Sequence, residues 1–354
     1  MAQGQFTGAS ASGVKLRRVA AYPKIRVLAW DRDILYACRG YEVVCLRAGA
    51  SEWDTVAHFH PAWWRSITSR SSIAFRLVRD GFHALAILAD GTMIGAVPGG
   101  IVTRLSGNTE FKVTHRILRG TRPLHLTAVP AGRVYWGEYF DNRERAEVHI
   151  YVSDDRGLSW QVGHTFPAGS IRHVHNIVYD RWAECLWILT GDEGEECKVL
   201  RASLDLRTID PVISGDQQAR AVAAIPTSEA LYLSTDTPYE QNHIYRLDRR
   251  GNLECVGDLN HSSIYGCQVG DALFFSTMVE PSQVNQSREV QIAGSKRGSD
   301  WCTLLHWKKD RLPMRYFQYG NAILPDGENG SRLLAVTTVA VEHDDLTTTL
   351  WEVE

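Results

Sequence analysis

The sequence predicts an all-β protein, a β-propeller of four-stranded blades, on three observations. The chain is a succession of short runs rich in Val, Ile, Leu, Tyr, Trp and Thr, such as IRVLAW, HALAILAD, EVHIYVSD, CLWILTGD and LLAVTTVAV. Each is bounded by Gly, Asp, Asn or Pro, which is the mark of a strand between turns. No long stretch holds a helical period. Paired strands also recur about every 40–50 residues, the length of one propeller blade.

The clearest units are HLTAVPAGRVYWGEY from His125, HNIVYDRWAECLWILTGD from His175 and RAVAAIPTSEALYLSTD from Arg220. YGCQVGDALFFSTMVE from Tyr265 and YGNAILPDGENGSRLLAVTT from Tyr319 follow. In each, a strand of small residues, a turn and a bulkier strand lead to a polar residue. RVLAWDRDILYACRG from Arg26 and RLVRDGFHALAILADG from Arg76 fit the unit less tightly. This favours seven blades over six. The last unit has room for three strands, so KLRRVAA from Lys15 is expected to add the fourth and close the ring. Residues 1–14 are then a flexible tail and 15–354 one propeller domain. The pair Trp63-Trp64 is expected to pack where the chain crosses between blades, an exposed sugar platform being the alternative.

Composition narrows the function. Hydrophobic residues are 44% and charged residues 22% of the 354, the balance of a globular chain. A formal net charge of −3 argues against a nucleic-acid partner, which needs clustered positive charge. No apolar run is long enough to span a membrane as a helix. The seven cysteines form no CxxC pair, so free thiols are expected rather than a zinc ribbon. The N-terminus has no apolar secretory segment, which points to a cytoplasmic location, or to a periplasmic or secreted one if a native leader was removed. P-loop, dinucleotide, HExxH and GxSxG signatures are absent.

Residues 153–160, SDDRGLSW, place Ser153, Asp155, Gly157, Ser159 and Trp160 in the spacing Ser-x-Asp-x-Gly-x-Ser-Trp. This resembles the Asp-box, or BNR, repeat of sialidase-like propellers. The resemblance implies a turn between the third and fourth strands of a blade, on the face away from the usual active site. GSKRGSDW (294–301) is similar to a decayed copy that keeps Gly298 and Trp301. The stretch from GEYFDNRERAEVHIYVSDDRGLSW to CLWILTGDEGEE resembles BNR-repeat proteins of bacterial polysaccharide loci, which implies a carbohydrate substrate. Arg26 stands about where sialidases have a first substrate arginine, but the Ile-Pro that follows it there is missing.

In a propeller, first strands begin and second strands end at one face. The first set brings Arg26, Arg76, His125, Arg172, His173, His175, Arg220, Tyr265 and Tyr319 to that face. The second brings Glu138, Tyr139, Asp192, Asp236, Tyr239, Glu240, Asn242 and Glu280. Arginine forks suit a sugar carboxylate and aromatic faces suit sugar rings. The expected function is therefore cleavage of a glycosidic bond at an anionic sugar of a polysaccharide or oligosaccharide.

Catalysis is assigned to His173, His175, Tyr139, Glu138, Asp192, Glu240 and Glu280. Substrate binding is assigned to Arg172, Arg220, Arg26, His125, Tyr239, Asn242, Tyr265 and Tyr319. Hydrolysis uses two of the carboxylates and is slightly favoured. Elimination at a uronate, with His and Tyr moving the protons, is the alternative, and a non-catalytic glycan-binding or assembly propeller is the third reading. The carboxylates could equally cap turns, and Tyr265 and Tyr319 could simply pack. No cofactor is expected; a divalent metal on His125, His173 and His175 is the lesser option.

Overall fold

The computed structural model describes residues 12–280 and 282–354, and the fold is an all-β propeller. Five sheets are each built on four consecutive antiparallel strands. Their first strands are Arg26–Arg32, Ala84–Ile87, Thr127–Ala128, Val174–Asp180 and Ala221–Pro226. Asp326–Asn329 joins the first sheet by a parallel pairing with Arg26–Arg32. The other strands merge into one eight-stranded sheet instead of two separate units. Met278 and Val279, at the end of Ala272–Val279, pair with Asn321 and Gly320 of Gly320–Ile323 and so fuse them. Leu16–Pro23 runs antiparallel to the C-terminal strand Thr347–Val353, in the register Leu16↔Val353 to Pro23↔Thr347.

First strands follow one another round an axis, and an apolar core fills each gap between neighbouring sheets. Phe82 and Phe111 with Val43 join the first to the second. Ile94, Ile101 and Trp136 join the second to the third, and Tyr135, Ile177 and Ile188 the third to the fourth. Trp187 and Leu231 bridge the fourth and fifth, and Tyr232 and Phe275 the fifth and the eight-stranded sheet. Val290, Trp307, Leu334 and Trp351 pack within that sheet, which also takes up Val14 and Leu16. Val27, Trp30 and Ala335 return to the first sheet. Because burial of this kind scales with apolar area, these interfaces are the main stabilising term.

The expected tail of 1–14 lies, for its first eleven residues, outside the described residues. Ser12 and Val14 are buried, and the Lys296 amide donates to the Ser12 carbonyl at 2.9 Å, so packing begins before residue 15.

Residues 59–83 depart from the strand reading. Trp63–Thr68 and Ser72–Val78 are short helices, the second capped by the Ser71 hydroxyl accepting from Ala74 N. Arg76 is therefore helical, not the start of an inner strand. It is buried, pairing with Asp310 at 2.6 Å and Asp345 at 3.2 Å and donating to the Phe317 carbonyl. Those partners lie over 200 residues away, which is why local pattern misplaces it. Trp63 and Trp64 sit on the first helix with 77% and 40% of their surface exposed, not inside a crossing.

The 153–160 turn joins strands Val148–Ser153 and Gln161–Phe166, the third and fourth of their sheet. Asp155 Oδ1 accepts from the amides of Leu158 and Ser159, and its Oδ2 accepts from the Ser159 hydroxyl. Gly157 has φ +80°, and a Cβ there would lie 2.6 Å from Ile94 Cγ1, so only glycine fits. At the related turn of 294–301, Trp301 packs on Phe275 with ring centroids 5.5 Å apart. All seven cysteines are free thiols. Among the described residues no helix is long and apolar enough to cross a membrane.

Asp180, fully buried at the end of its strand, links two sheets. It accepts from the amides of Trp182 and Ala183, from Trp187 Nε1 at 3.0 Å and from Arg249. Burial alone would raise its pKa, but the Arg249 and Trp187 hydrogen bonds outweigh that and lower it. Its contribution is thus present above the unfolded carboxylate value of about 4 and is lost as pH falls through the lower folded value. Asp180→Ala, which strands Arg249, is expected to cost about 3–5 kcal/mol in urea unfolding at pH 7. The gap from wild type should narrow towards pH 3.

Candidate functional site

Antiparallel alternation places the beginnings of first strands and the ends of second strands at the same end of every sheet. His173 precedes and His175 lies within Val174–Asp180; Arg220 precedes Ala221–Pro226; Tyr319 precedes Gly320–Ile323. Tyr139, Asp192, Asp236 and Glu280 each follow a second strand by one or two residues. Asp155 and its turn fall at the opposite end, since third-to-fourth connections lie there.

His173, His175, Asp192, Tyr139, Arg172 and Arg220 are brought together as expected. The Nε2 atoms of His173 and His175 are 3.0 Å apart. Asp192 Oδ1 lies 3.3 Å from His175 Nε2, and its Oδ2 lies 3.6 Å from His173 Nε2. Arg172 and Arg220 pair with Asp192 at 3.1 and 3.2 Å. The Tyr139 ring centroid is 4.3 Å from that of His173.

Burial alone would raise Asp192, but hydrogen bonds from the two histidines and the Arg220 charge hold it far below the usual carboxylate range. Burial, then the charges of Asp192 and Asp236, push Tyr139 well above the ordinary phenol value. Burial lowers His173, against the pull of Asp192.

This group continues into a second one. Arg220 also pairs with Asp236 at 3.2 Å, and Asp236 is buried with Oδ1 lacking any protein partner. Burial first, and the Asp236 charge second, raise Glu280, although Arg220 opposes them. Glu280 hydrogen-bonds Tyr319, whose own pKa is raised by burial and by Glu280, while Arg79 opposes.

Arg79 opens a basic wall with Arg122 and Arg26. Burial, and then the charges of Arg26 and Arg79, bring Arg122 down to about 9. None of the three forms an ion pair among the described residues. Tyr265 belongs to this wall, where burial raises it and Arg26 opposes. His125 stands there too, its Nδ1 3.0 Å from Asp326 Oδ2 and its ring 5.9 Å from Tyr265. A cavity of about 640 Å³ reaches this wall at Arg26, beneath the 63–78 helices, but contains none of the histidine group.

Other expected residues do not join. Glu138, one position before Tyr139, points the other way: Arg119 binds it through two nitrogens, one at 2.9 Å, and the His149 amide donates to it at 2.9 Å. Glu240 is exposed at the rim, accepting from Gln218 at 2.6 Å, and Tyr239 is 62% exposed. Asn242 is fully buried and braces its own loop, accepting from Thr237 N and donating to the Thr237 carbonyl. The three-histidine metal set does not form, because His125 is held by Asp326; the third potential ligand beside His173 and His175 is Asp192.

Arg79, Arg122 and Asp326 were missed. Arg79 ends a helix in the left-handed conformation at φ 53°, and Arg122 sits in an irregular stretch. A signal existed for Arg122, which stands three residues before His125 at a repeat start.

No family model and no curated protein matches the sequence. Solved structures share the fold. A chain of the crystal structure of a mitotic checkpoint complex aligns over 99% of this chain and 98% of its own, with TM-score 0.59 and 12% identity. The WD40 β-propeller domain of Doa1 aligns over 96% and 97%, with TM-score 0.56 and 10% identity. At such identity the likeness defines a WD40-like propeller and nothing finer.

Glu138→Ala is expected to lower stability by about 1–3 kcal/mol in urea unfolding, because Arg119 and the His149 amide lose their acceptor.

Proposed function

We propose that the chain cleaves a glycosidic bond at an anionic sugar, by hydrolysis. The observation that carries this is the join between two walls. Three arginines without carboxylate partners among the described residues form one wall, and across Tyr319 from Arg79 the raised Glu280 is biased towards its neutral, proton-donating form. A sugar carboxylate suits the arginines, since forks bind it at two points. Glu280 is then the general acid at the leaving oxygen, and Asp236 is the base or nucleophile, its Oδ1 still available.

The Asp-box spacing at 153–160 supports a kinship with sialidase-like BNR propellers. We also read the strands as seven four-stranded blades closed by Leu16–Pro23, supported by the pairing with Thr347–Val353 and by the cores between neighbouring units.

Elimination at a uronate is the second reading, favoured by the contact of Tyr139 with His173. The products separate the two. On a panel of acidic polysaccharides and oligosaccharides, new reducing ends without ultraviolet absorbance are expected. Absorbance of an unsaturated uronate would transfer the chemistry to Tyr139, and binding without any product would leave a glycan-binding propeller.

With an active substrate, Glu280→Gln should lower kcat by about 10²–10⁴-fold. Arg122→Gln should chiefly raise KM. Wild-type activity should fall as pH rises through the Glu280 value, which burial, then Asp236 and Asp192, raise against Arg220 and Tyr319. An unchanged kcat in Glu280→Gln would remove the assignment.

A further inference from the structure

We propose that His173, His175 and Asp192 form a binding site for one divalent first-row transition-metal ion. The argument begins with the far side of each ring. His173 Nδ1 lies 3.0 Å from the Phe140 carbonyl, and His175 Nδ1 lies 2.9 Å from the Ala221 carbonyl. A carbonyl only accepts, so each Nδ1 carries a hydrogen. In the neutral ring this leaves a lone pair on each Nε2. Backbone partners of this kind fix the tautomer and orientation of metal-bound histidines.

The two Nε2 atoms then face each other at 3.0 Å, with the Asp192 carboxylate 3.3 and 3.6 Å away. With both rings neutral, two lone pairs and a carboxylate oxygen face one another, an arrangement that calls for a cation between them, a metal ion or a proton. Donors about 2.0–2.2 Å from a single ion, at angles from 90° to tetrahedral, are about 2.8–3.6 Å apart. The Nε2–Nε2 distance of 3.0 Å and the Oδ1–His175 distance of 3.3 Å fall in that range, and the second carboxylate oxygen reaches its upper end at 3.6 Å from His173.

The surroundings fit as well. The histidine side chains are only 7% and 2% exposed and Asp192 14%, so the site is built into the fold. Arg172 and Arg220 hold the carboxylate from outside, as outer partners of a ligating group do. Two imidazoles and a carboxylate suit Mn, Fe, Co or Zn rather than Ca or Mg. With three protein donors, further positions remain for an oxygen ligand. That this ligand is a sugar oxygen rests on the cleavage reading; the ion itself does not.

Two other groupings, His58–His60–Glu110 and His243–Cys255–Asp258, consist of exposed or half-buried residues and serve as controls.

The test uses the untagged full chain, stripped with a chelator, loaded with Zn²⁺ or Mn²⁺ and desalted. Elemental analysis should find one ion per chain. His173→Ala and His175→Ala should each weaken binding at least 100-fold, while His58→Ala and His243→Ala leave it unchanged. Circular dichroism of the metal-free variants checks folding. If the histidine variants do not fold, electron paramagnetic resonance of Cu²⁺-loaded wild type should show coupling to two imidazole nitrogens.

Substoichiometric metal in wild type, retention in the His173→Ala/His175→Ala double variant, or no two-nitrogen coupling would overturn the site and leave a proton shared by the pair. Glycan cleavage plays no part in these readouts. Bound metal without cleavage sinks only the cleavage reading, and cleavage by a protein that takes up no metal sinks only this one.

Discussion

Alternation of strand direction within each sheet is the constraint on which the site depends. The first strands pack side by side about an axis and run the same way. Everything just before a first strand, or just after a second, must therefore reach one end. His173, Arg220 and Tyr319 arrive by the first route, and Tyr139, Asp192, Asp236 and Glu280 by the second. Residues far apart in sequence meet because the repeat makes them equivalent, without any local signal pointing from one to another.

This explains what could be read from the sequence. The period of strand pairs and the polar residue ending each second strand are local, so the propeller class and the His173–His175–Asp192 group were visible. The turn at 153–160 was visible too, because Asp155 and Gly157 satisfy hydrogen-bond and dihedral demands within eight residues. The side of the strand was less legible. Glu138 and Tyr139 are adjacent, successive side chains point oppositely, and only Tyr139 faces the histidines. Asn242 was misread because a buried amide bracing a turn has the same composition as one that binds sugar.

The irregular segments were illegible for a different reason. Arg76 reads as part of an apolar strand, yet its partners Asp310, Asp345 and the Phe317 carbonyl come from the far end of the chain. Arg79 and Arg122 are delivered by a helix terminus and a loop, which no period constrains. The blade count met a related limit: the pairing of Met278 and Val279 with Gly320 and Asn321 is a short non-local contact that joins two units into one sheet.

The electrostatic layout gives the proposed chemistry its direction. On one wall, Asp192 and Asp236 share Arg220. On the other, burial first and the charges of Arg26 and Arg79 second lower Arg122, so a bound anion would offset the repulsion among the three arginines. Tyr319 stands between them, hydrogen-bonded to Glu280 and within the field of Arg79. The positive group that opposes the raised Glu280 is Arg220, which Asp192 and Asp236 already share. The proton on the proposed acid is therefore set within the carboxylate wall, by burial and by Asp236 first, while the basic wall is left to hold the charge of the sugar. Acid and anion subsite are thus separate devices that meet at Tyr319.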